Sequence, residues 1–289
     1  MDFSERMKIA LGAAMGAGSV LSEIFNADMD LGLEQKSDGS PVTIADMQAE
    51  KSIVDTIKEN FPDDAIIGEE GALEKGVSGY TWVINPLDGT RNFSKKIHDY
   101  AVSIGVLLNG KPNIGVVYMP EIGKTGAIYY AEEGLGAFCN SKKIAVSEKG
   151  EITGADISID GPINNAGRES DLIAENATIT TLGTIAGEMA LLASGGYDGG
   201  GYLGASSWDI AAGVMLISEA GGKVTALDGT EIDWTKKSGH NIIASNALIH
   251  NKLLEIYQNK SVKKNMDDKF LNNWGPKKDL NKGLRGFMG

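Results

Sequence analysis

Apolar residues recur at helical spacing near the start of the chain. Met7, Ile9, Ala10, Ala13, Ala14, Val20, Leu21 and Ile24 fall along one side of a helix over residues 1–25. The run 11–17 has the apolar character of a secretory h-region. The residues before it, however, include Asp2 and Glu5 beside Arg6 and Lys8, not a clean positive charge. The pattern therefore predicts an amphipathic packing helix, and no segment is expected to span a bilayer. A polar loop over 26–41 follows. Thr43 then reads as a helix N-cap with Asp46 three residues on, and a helix is expected over 47–60.

Short β-prone runs come next. Residues 65–68 form an apolar strand that ends in Glu69-Glu70-Gly71, and 81–85 form another. Pro86 should stop that ladder, having no N–H to donate. Runs at 100–108 and 114–118 flank Asn109-Gly110, a hairpin signal, and 127–131 adds a strand before a turn at 132–136. The second half alternates. Strands are expected at 156–160, 178–182, 223–226 and 241–244, with helices at 184–194, 208–220 and 246–257. No internal repeat is visible. Antiparallel hairpins followed by alternation predict stacked helix and sheet layers. The expected division is an N-terminal α+β half (1–145), a C-terminal α/β half (146–260) and a basic tail (261–289).

Charge changes this picture in one place. The tail holds seven Lys/Arg against three Asp, a net +4 in a chain of total −12, so the remainder carries −16. It is read as a mobile tail, with a basic arm on the acidic body as the sharper alternative. The overall negative charge argues against general nucleic-acid binding, which needs Lys and Arg to neutralise phosphates. It leaves room for an anionic substrate, because bound cations invert a local field. The single cysteine, Cys139, excludes an internal disulfide and suits a reducing cytoplasm.

The chemistry concentrates in residues 82–93, Trp-Val-Ile-Asn-Pro-Leu-Asp-Gly-Thr-Arg-Asn-Phe. Asp88-Gly89-Thr90 makes a sharp turn, and a short helix starting at Thr90 would point free N–H groups at an anion beside the Asp88 carboxylate. A phosphate there requires a cation between the two negative charges. Asp46, Glu69, Asp88 and Asp209 each lie at a strand end or a helix start. Singly, Asp46 and Asp209 are better read as helix caps. Together, they predict one cleft of hard oxygen donors. With just His98, His240 and His250 in the chain, magnesium fits better than zinc. A dinucleotide fingerprint is a poor alternative, because Gly12, Gly16 and Gly18 lie inside a helix with no strand before them.

These motifs resemble the inositol monophosphatase family, magnesium-dependent and often lithium-sensitive phosphatases, from the first helix to about Tyr257. The resemblance implies an αβαβα sandwich of the sugar phosphatase type, a homodimer, two or three Mg²⁺ ions and a small phosphate ester as substrate. Gly68-Glu69-Glu70 is similar to the metal-binding Gly-Glu-Glu, which makes Glu69 a ligand. Asp88 and the Leu87 carbonyl match ligands to two adjacent metals, and Trp208-Asp209 matches the second signature, whose aspartate holds the second metal. Asp46 and Thr90 match the pair that activates water for in-line attack, while Gly89 and Thr90 amides hold phosphate oxygens. Gly183-Thr184-Ile185 is similar to the turn that touches substrate, and Lys36 to the lysine of a loop that closes over the site.

Two positions depart from the family. Asn85 stands where the family has the aspartate that bridges both metals, which implies a weakened second metal and impaired activity. Tyr202 aligns with the glutamate by which inositol-specific relatives bind ring hydroxyls, so it is a candidate substrate contact. Residues 38–43 also look like histidinol-phosphate phosphatases of the same superfamily; fructose bisphosphate and phosphoadenosine phosphate are further substrates it implies. A non-catalytic binder of phosphate esters is the competing class.

Overall fold

The computed structural model describes residues 2–27, 32, 34–35, 41–161 and 166–258; Lys36 and the tail 261–289 lie outside the described residues. Helix α1 (Glu5–Asn26) starts at Ser4, whose hydroxyl accepts the Met7 amide at 3.2 Å. Short strands β1 (Glu34–Gln35) and β2 (Pro41–Val42) pair with each other, and α2 (Ile44–Asn60) follows. Then come β3 (Ala65–Gly68), β4 (Leu73–Glu74), β5 (Tyr80–Asp88), α3 (Thr90–Ser94), β6 (Ala101–Leu108), β7 (Lys111–Met119), β8 (Ala127–Glu132), β9 (Gly136–Cys139) and β10 (Lys142–Lys143). The second half contains β11 (Asp156–Asp160), α4 (Ala166–Ala174), β12 (Thr178–Thr180), α5 (Ile185–Ala193), β13 (Gly199–Ala205), α6 (Ser207–Glu219), β14 (Lys223–Ala226), β15 (His240–Ser245) and α7 (His250–Gln258).

Eight strands form one sheet in the order β10-β9-β8-β7-β6-β5-β3-β4, antiparallel except between β3 and β5. Five form a second, β12-β11-β13-β15-β14, with β11 parallel to both its neighbours. Helices α1 and α2 cover the outer face of the large sheet, where Leu21, Ile53 and Ile57 meet Trp82, Ile84 and Val106. Helices α5 and α6 lie between the sheets: Met189, Leu192 and Leu216 join Val117 and Tyr129 on one side and Tyr202 and Ile242 on the other. Helix α7 covers the far face of the small sheet through Leu253 and Tyr257. This is the expected αβαβα sandwich.

Several local expectations need correction. Pro86 does not end β5. The β5–β6 ladder shifts register between Asn85 and Asp88, so the missing proline N–H falls in a bulge and pairing resumes at Asp88↔Ala101. The hairpin signal holds, with Asn109 and Gly110 both at positive φ and Leu108 opposite Lys111. Contrary to expectation, α1 is long and apolar enough over its 22 residues to cross a membrane by length and composition. Here Met7, Ala10, Ala14, Ala17 and Leu21 are fully buried against the α2 and large-sheet core, as in a packing helix. Helix α7 begins at His250, because Asn246 instead makes a turn, accepting the Leu248 and Ile249 amides.

Strand β13 has no counterpart in the hydrophobic pattern. Its Gly199-Gly-Gly run looks like a loop, since glycine weakens strands. The reason is packing across the strand. A Cβ on Gly201 would lie 2.2 Å from the Tyr257 ring, and one on Gly200 would lie 2.5 Å from the Tyr202 hydroxyl.

Candidate active site

Asp46 and Asp209 each divide their two oxygens between a helix cap and a second partner, and Asp88 accepts from the first turn of a third helix. Asp46 Oδ2 accepts the backbone N–H of Thr43 at 2.7 Å and its hydroxyl at 2.6 Å, closing a capping box at the start of α2. Its other oxygen, Oδ1, accepts the Thr90 hydroxyl at 3.0 Å. Asp209 Oδ2 accepts the Ser206 amide at 2.7 Å at the start of α6, while Oδ1 receives a hydrogen bond from Asn85 Nδ2 at 3.0 Å. Asp88 Oδ2 accepts the Thr184 hydroxyl and the Ala186 amide, both at 2.7 Å, at the start of α5. A carboxylate has lone pairs for two directions, so a helix cap and a second contact coexist on one side chain. Three helix N-termini thereby converge on one point of the large sheet, with the favourable ends of their dipoles toward the acids.

The strand ladder brings in the remaining acid. The Glu69 amide donates to the Ile84 carbonyl at 3.2 Å, continuing the parallel β3–β5 pairing by one residue and setting Glu69 beside the signature strand. The turn after it is held by Glu50 of α2, whose two oxygens accept the Glu70 amide at 2.8 Å and the Ala72 amide at 2.9 Å. Gly89 bends the chain between Asp88 and α3 at φ 93°, a left-handed conformation that other residues rarely adopt. This turn places the Thr90 hydroxyl 3.1 Å from the Leu87 carbonyl as well as at Asp46. Asn85 is 2 % exposed and fully engaged: its amide donates to Asp209 and its Oδ1 accepts the Leu87 amide at 3.1 Å.

Negative charge is crowded here. Burial, then the charges of Asp88 and Glu69, hold the Asp209 carboxyl well above the usual range; the Ser206 amide and Asn85 offset this in part. Burial likewise raises Asp88, against the pull of Thr184 and Ala186, and Asp160 adds to the rise. Such mutual destabilisation among oxygen donors is what a hard cation relieves, so the donor set fits one. Yet among the described residues no three His, Cys, Asp or Glu side chains form a ready cage. Asn85 lies between Asp209 and the Leu87 amide and bonds both.

The Thr184 and Ile185 positions begin α5 as the sequence implied, and Gly183 lies against the Asp88 turn: a Cβ built on Gly89 would be 3.3 Å from the Gly183 carbonyl oxygen. Tyr202 is corrected. It is fully buried, and its hydroxyl bonds Ser158 Oγ at 2.6 Å inside the small-sheet core, so it does not face the cleft. Alternation along a strand cannot reveal that an aromatic ring lies back over a glycine neighbour. The sequence reading also missed Asn92, which donates to the carbonyls of Leu182 at 2.7 Å and Asp99 at 2.8 Å, tying the signature helix to the 182–184 turn. Its place in the 82–93 run was the available signal. A groove of about 940 Å³ beside Leu227, Asp228, Glu231 and Gln258 is lined by none of these residues.

Comparison with known proteins agrees with this arrangement. The model of the inositol monophosphatase family matches residues 2–262. The chain is 34% identical over 251 residues to the Nus factor SuhB of Pasteurella multocida, covering 84% of this chain and 92% of that one. It is 36% identical over 216 residues to a fructose-1,6-bisphosphatase/inositol-1-monophosphatase of Thermotoga maritima, covering 74% and 81%. The crystal structure of the extragenic suppressor protein suhB from Bartonella henselae superposes with a TM-score of 0.83 at 32% identity, covering 89% of this chain and all of that one. The sandwich is shared with these relatives, the family's members include phosphatases, and the chain belongs to the inositol monophosphatase family.

Proposed function

We propose that this protein hydrolyses a small phosphate monoester, an inositol monophosphate or a related sugar or polyol phosphate, in the presence of magnesium, at a rate limited by Asn85. The observation that carries the reading is the 3.0 Å hydrogen bond from the Thr90 hydroxyl to Asp46. It sets a hydroxyl–carboxylate pair beside Asp88 and the Leu87 carbonyl, where a water attacking phosphorus needs a proton acceptor. Family members generally use Mg²⁺. Here Glu69, Asp88, Asp209 and the Leu87 carbonyl would hold it, and it would supply positive charge against the phosphate and acidify water. Thr90 orients the nucleophile and passes its proton toward Asp46. The amides of Gly89 and Thr90 take phosphate oxygens, and the 182–184 turn carries the alcohol portion.

A second reading, a non-catalytic binder of phosphate esters, is favoured by Asn85. Its N–H points at Asp209 where a cation would otherwise sit, and an amide nitrogen repels a cation. One experiment separates the two: a panel of phosphate esters assayed with and without Mg²⁺, on the protein and on Asn85→Asp. Restoring a carboxylate of nearly equal size should raise hydrolysis on the order of 10²–10⁴. Absence of turnover by both proteins at saturating Mg²⁺ would overturn the enzyme reading and make the binder the better account. Thr90→Val should abolish whatever turnover Asn85→Asp shows while leaving the far-UV spectrum unchanged.

A further inference from the structure

The turn at 182–184 presents two successive backbone N–H groups to one oxygen. Glu188, one turn into α5, accepts the Leu182 amide at 2.6 Å and the Gly183 amide at 3.3 Å on its Oε1. A pair of adjacent amides of this kind is a nest, an anion-binding concavity. Its occupant here is a side chain of the same protein, fully buried, whose second oxygen, Oε2, has no partner among the described residues. Leaving a buried carboxyl oxygen unpaired is costly, so the arrangement is held for what Oε1 does. The rest of the turn is fixed from other sides. Asn92 takes the Leu182 carbonyl, the Thr181 hydroxyl donates to the Ile159 carbonyl at 2.7 Å, and Thr184 donates to Asp88. Glu188 thus completes a linkage running from the small sheet through the turn to the phosphate signature.

We propose that Glu188 is a positioning residue: it fills the Leu182–Gly183 amide nest from within the chain, closes it to solution anions, and fixes the turn against which the alcohol portion of the phosphate ester rests. The part about the ester depends on the function proposed above; the filling of the nest does not. A filled nest keeps phosphate from a second landing place next to the Asp88 turn. It also sets the turn's position relative to α5, so that alcohol recognition is set separately from phosphate capture.

The test uses the full chain with Mg²⁺, in the parent and in Asn85→Asp. Glu188→Ala empties the nest. The expected result is a rise of at least tenfold in KM for the ester, with kcat and inhibition by inorganic phosphate changed less than about threefold. Formate or acetate at tens of millimolar should restore KM in Glu188→Ala but not in Glu188→Gln, which keeps the acceptor oxygen and most of the affinity. Independently of turnover, the Leu182 and Gly183 amide signals in ¹H–¹⁵N spectra should move upon Glu188→Ala and return with formate. Should that variant not fold, Glu188→Asp, one methylene shorter, should show the same KM rise and amide shift. Unmoved amides would overturn the proposal. So would a KM rise matched by equal weakening of inorganic phosphate with no formate recovery, which a generally loosened fold would give. If no ester is hydrolysed in either background, the functional reading fails, and the amide signals still decide the filling of the nest.

Discussion

At Asn85 a single side chain ties the acid cluster to the signature turn. Its Nδ2 donates to Asp209 Oδ1 at 3.0 Å and its Oδ1 accepts the Leu87 amide, so the acid cluster keeps its shape without metal. An aspartate in its place would set a buried carboxylate against the half-buried one of Asp209. Asn85→Asp should therefore destabilise the metal-free protein by about 1–3 kcal/mol, the cost of losing a donor to a buried charge. Mg²⁺ should restore it, by about 2.7 kcal/mol at a hundred times its Kd. Thermal unfolding in EDTA and across a Mg²⁺ titration measures both; equal midpoints for the two proteins in EDTA would remove Asn85 from this role. The Asp46–Thr90 contact was anticipated through the resemblance to the family's water-activating pair, while the local motifs alone gave a capping box and a sharp turn. Tyr202 and Glu188 were not legible, since what decides their surroundings is packing between layers more than 10 positions distant in sequence or a bond from a helix back onto the turn before it.

Among the elements, helices α1, α2, α5, α6 and α7 and strands β3, β5 to β8, β11, β12, β14 and β15 followed from their sequence patterns, whereas α4, β13 and the short strands β1, β2, β4, β9 and β10 did not. The three glycines of β13 exist because Leu253, Tyr202 and Tyr257 press on the strand, and a one-dimensional pattern holds no trace of that pressure. Gly201→Ala should place a methyl group on the Tyr257 ring, overpacking the core by about 1–3 kcal/mol. Tyr257→Leu should recover part of this loss in the double variant, a coupling that chemical denaturation of the four proteins would quantify. Pro86 was misjudged for a related reason: a bulge removed the need for its missing N–H. The turn that carries Glu69 is held from α2, the same helix whose first turn carries Asp46. Glu50 of α2 holds two of its amides, so Glu50→Ala should cost about 1–3 kcal/mol and weaken Mg²⁺ binding, while the surface change Glu59→Ala should do neither. Calorimetric Mg²⁺ titration of both variants checks this.

For the whole molecule, the layered sandwich gathers acidic side chains between its layers. Helices α5 and α6 are buried between two sheets, and their first turns carry Glu188 and Asp209 toward Asp88 and Asp160. All of these acids shift in one direction. Burial, with Asp160 and Asp88 adding, pushes Glu188 from its ordinary value of 4.5 up to about 8, although the Leu182 and Gly183 amides pull it down. A raised acid binds its proton more tightly in the folded state. Stability then falls as pH rises through the window between the two values, and no further above it. The metal-free protein should lose stability from about pH 4.5 to about pH 8, Glu188 contributing throughout and Asp88 and Asp209 through their own upward shifts. Glu188→Gln removes one titration and keeps the acceptor oxygen, so its unfolding free energy should fall less steeply over that interval and exceed the parent's most at pH 8. Tyr202 and Tyr197, which also face Glu188, stay protonated there because burial raises both. Mg²⁺ should act oppositely, stabilising more as pH rises, since it binds the deprotonated acids. Denaturant unfolding at pH 5, 6.5 and 8, with EDTA or Mg²⁺, gives the slopes; parallel profiles for parent and Glu188→Gln would mean that the buried carboxyl titrates as an ordinary one.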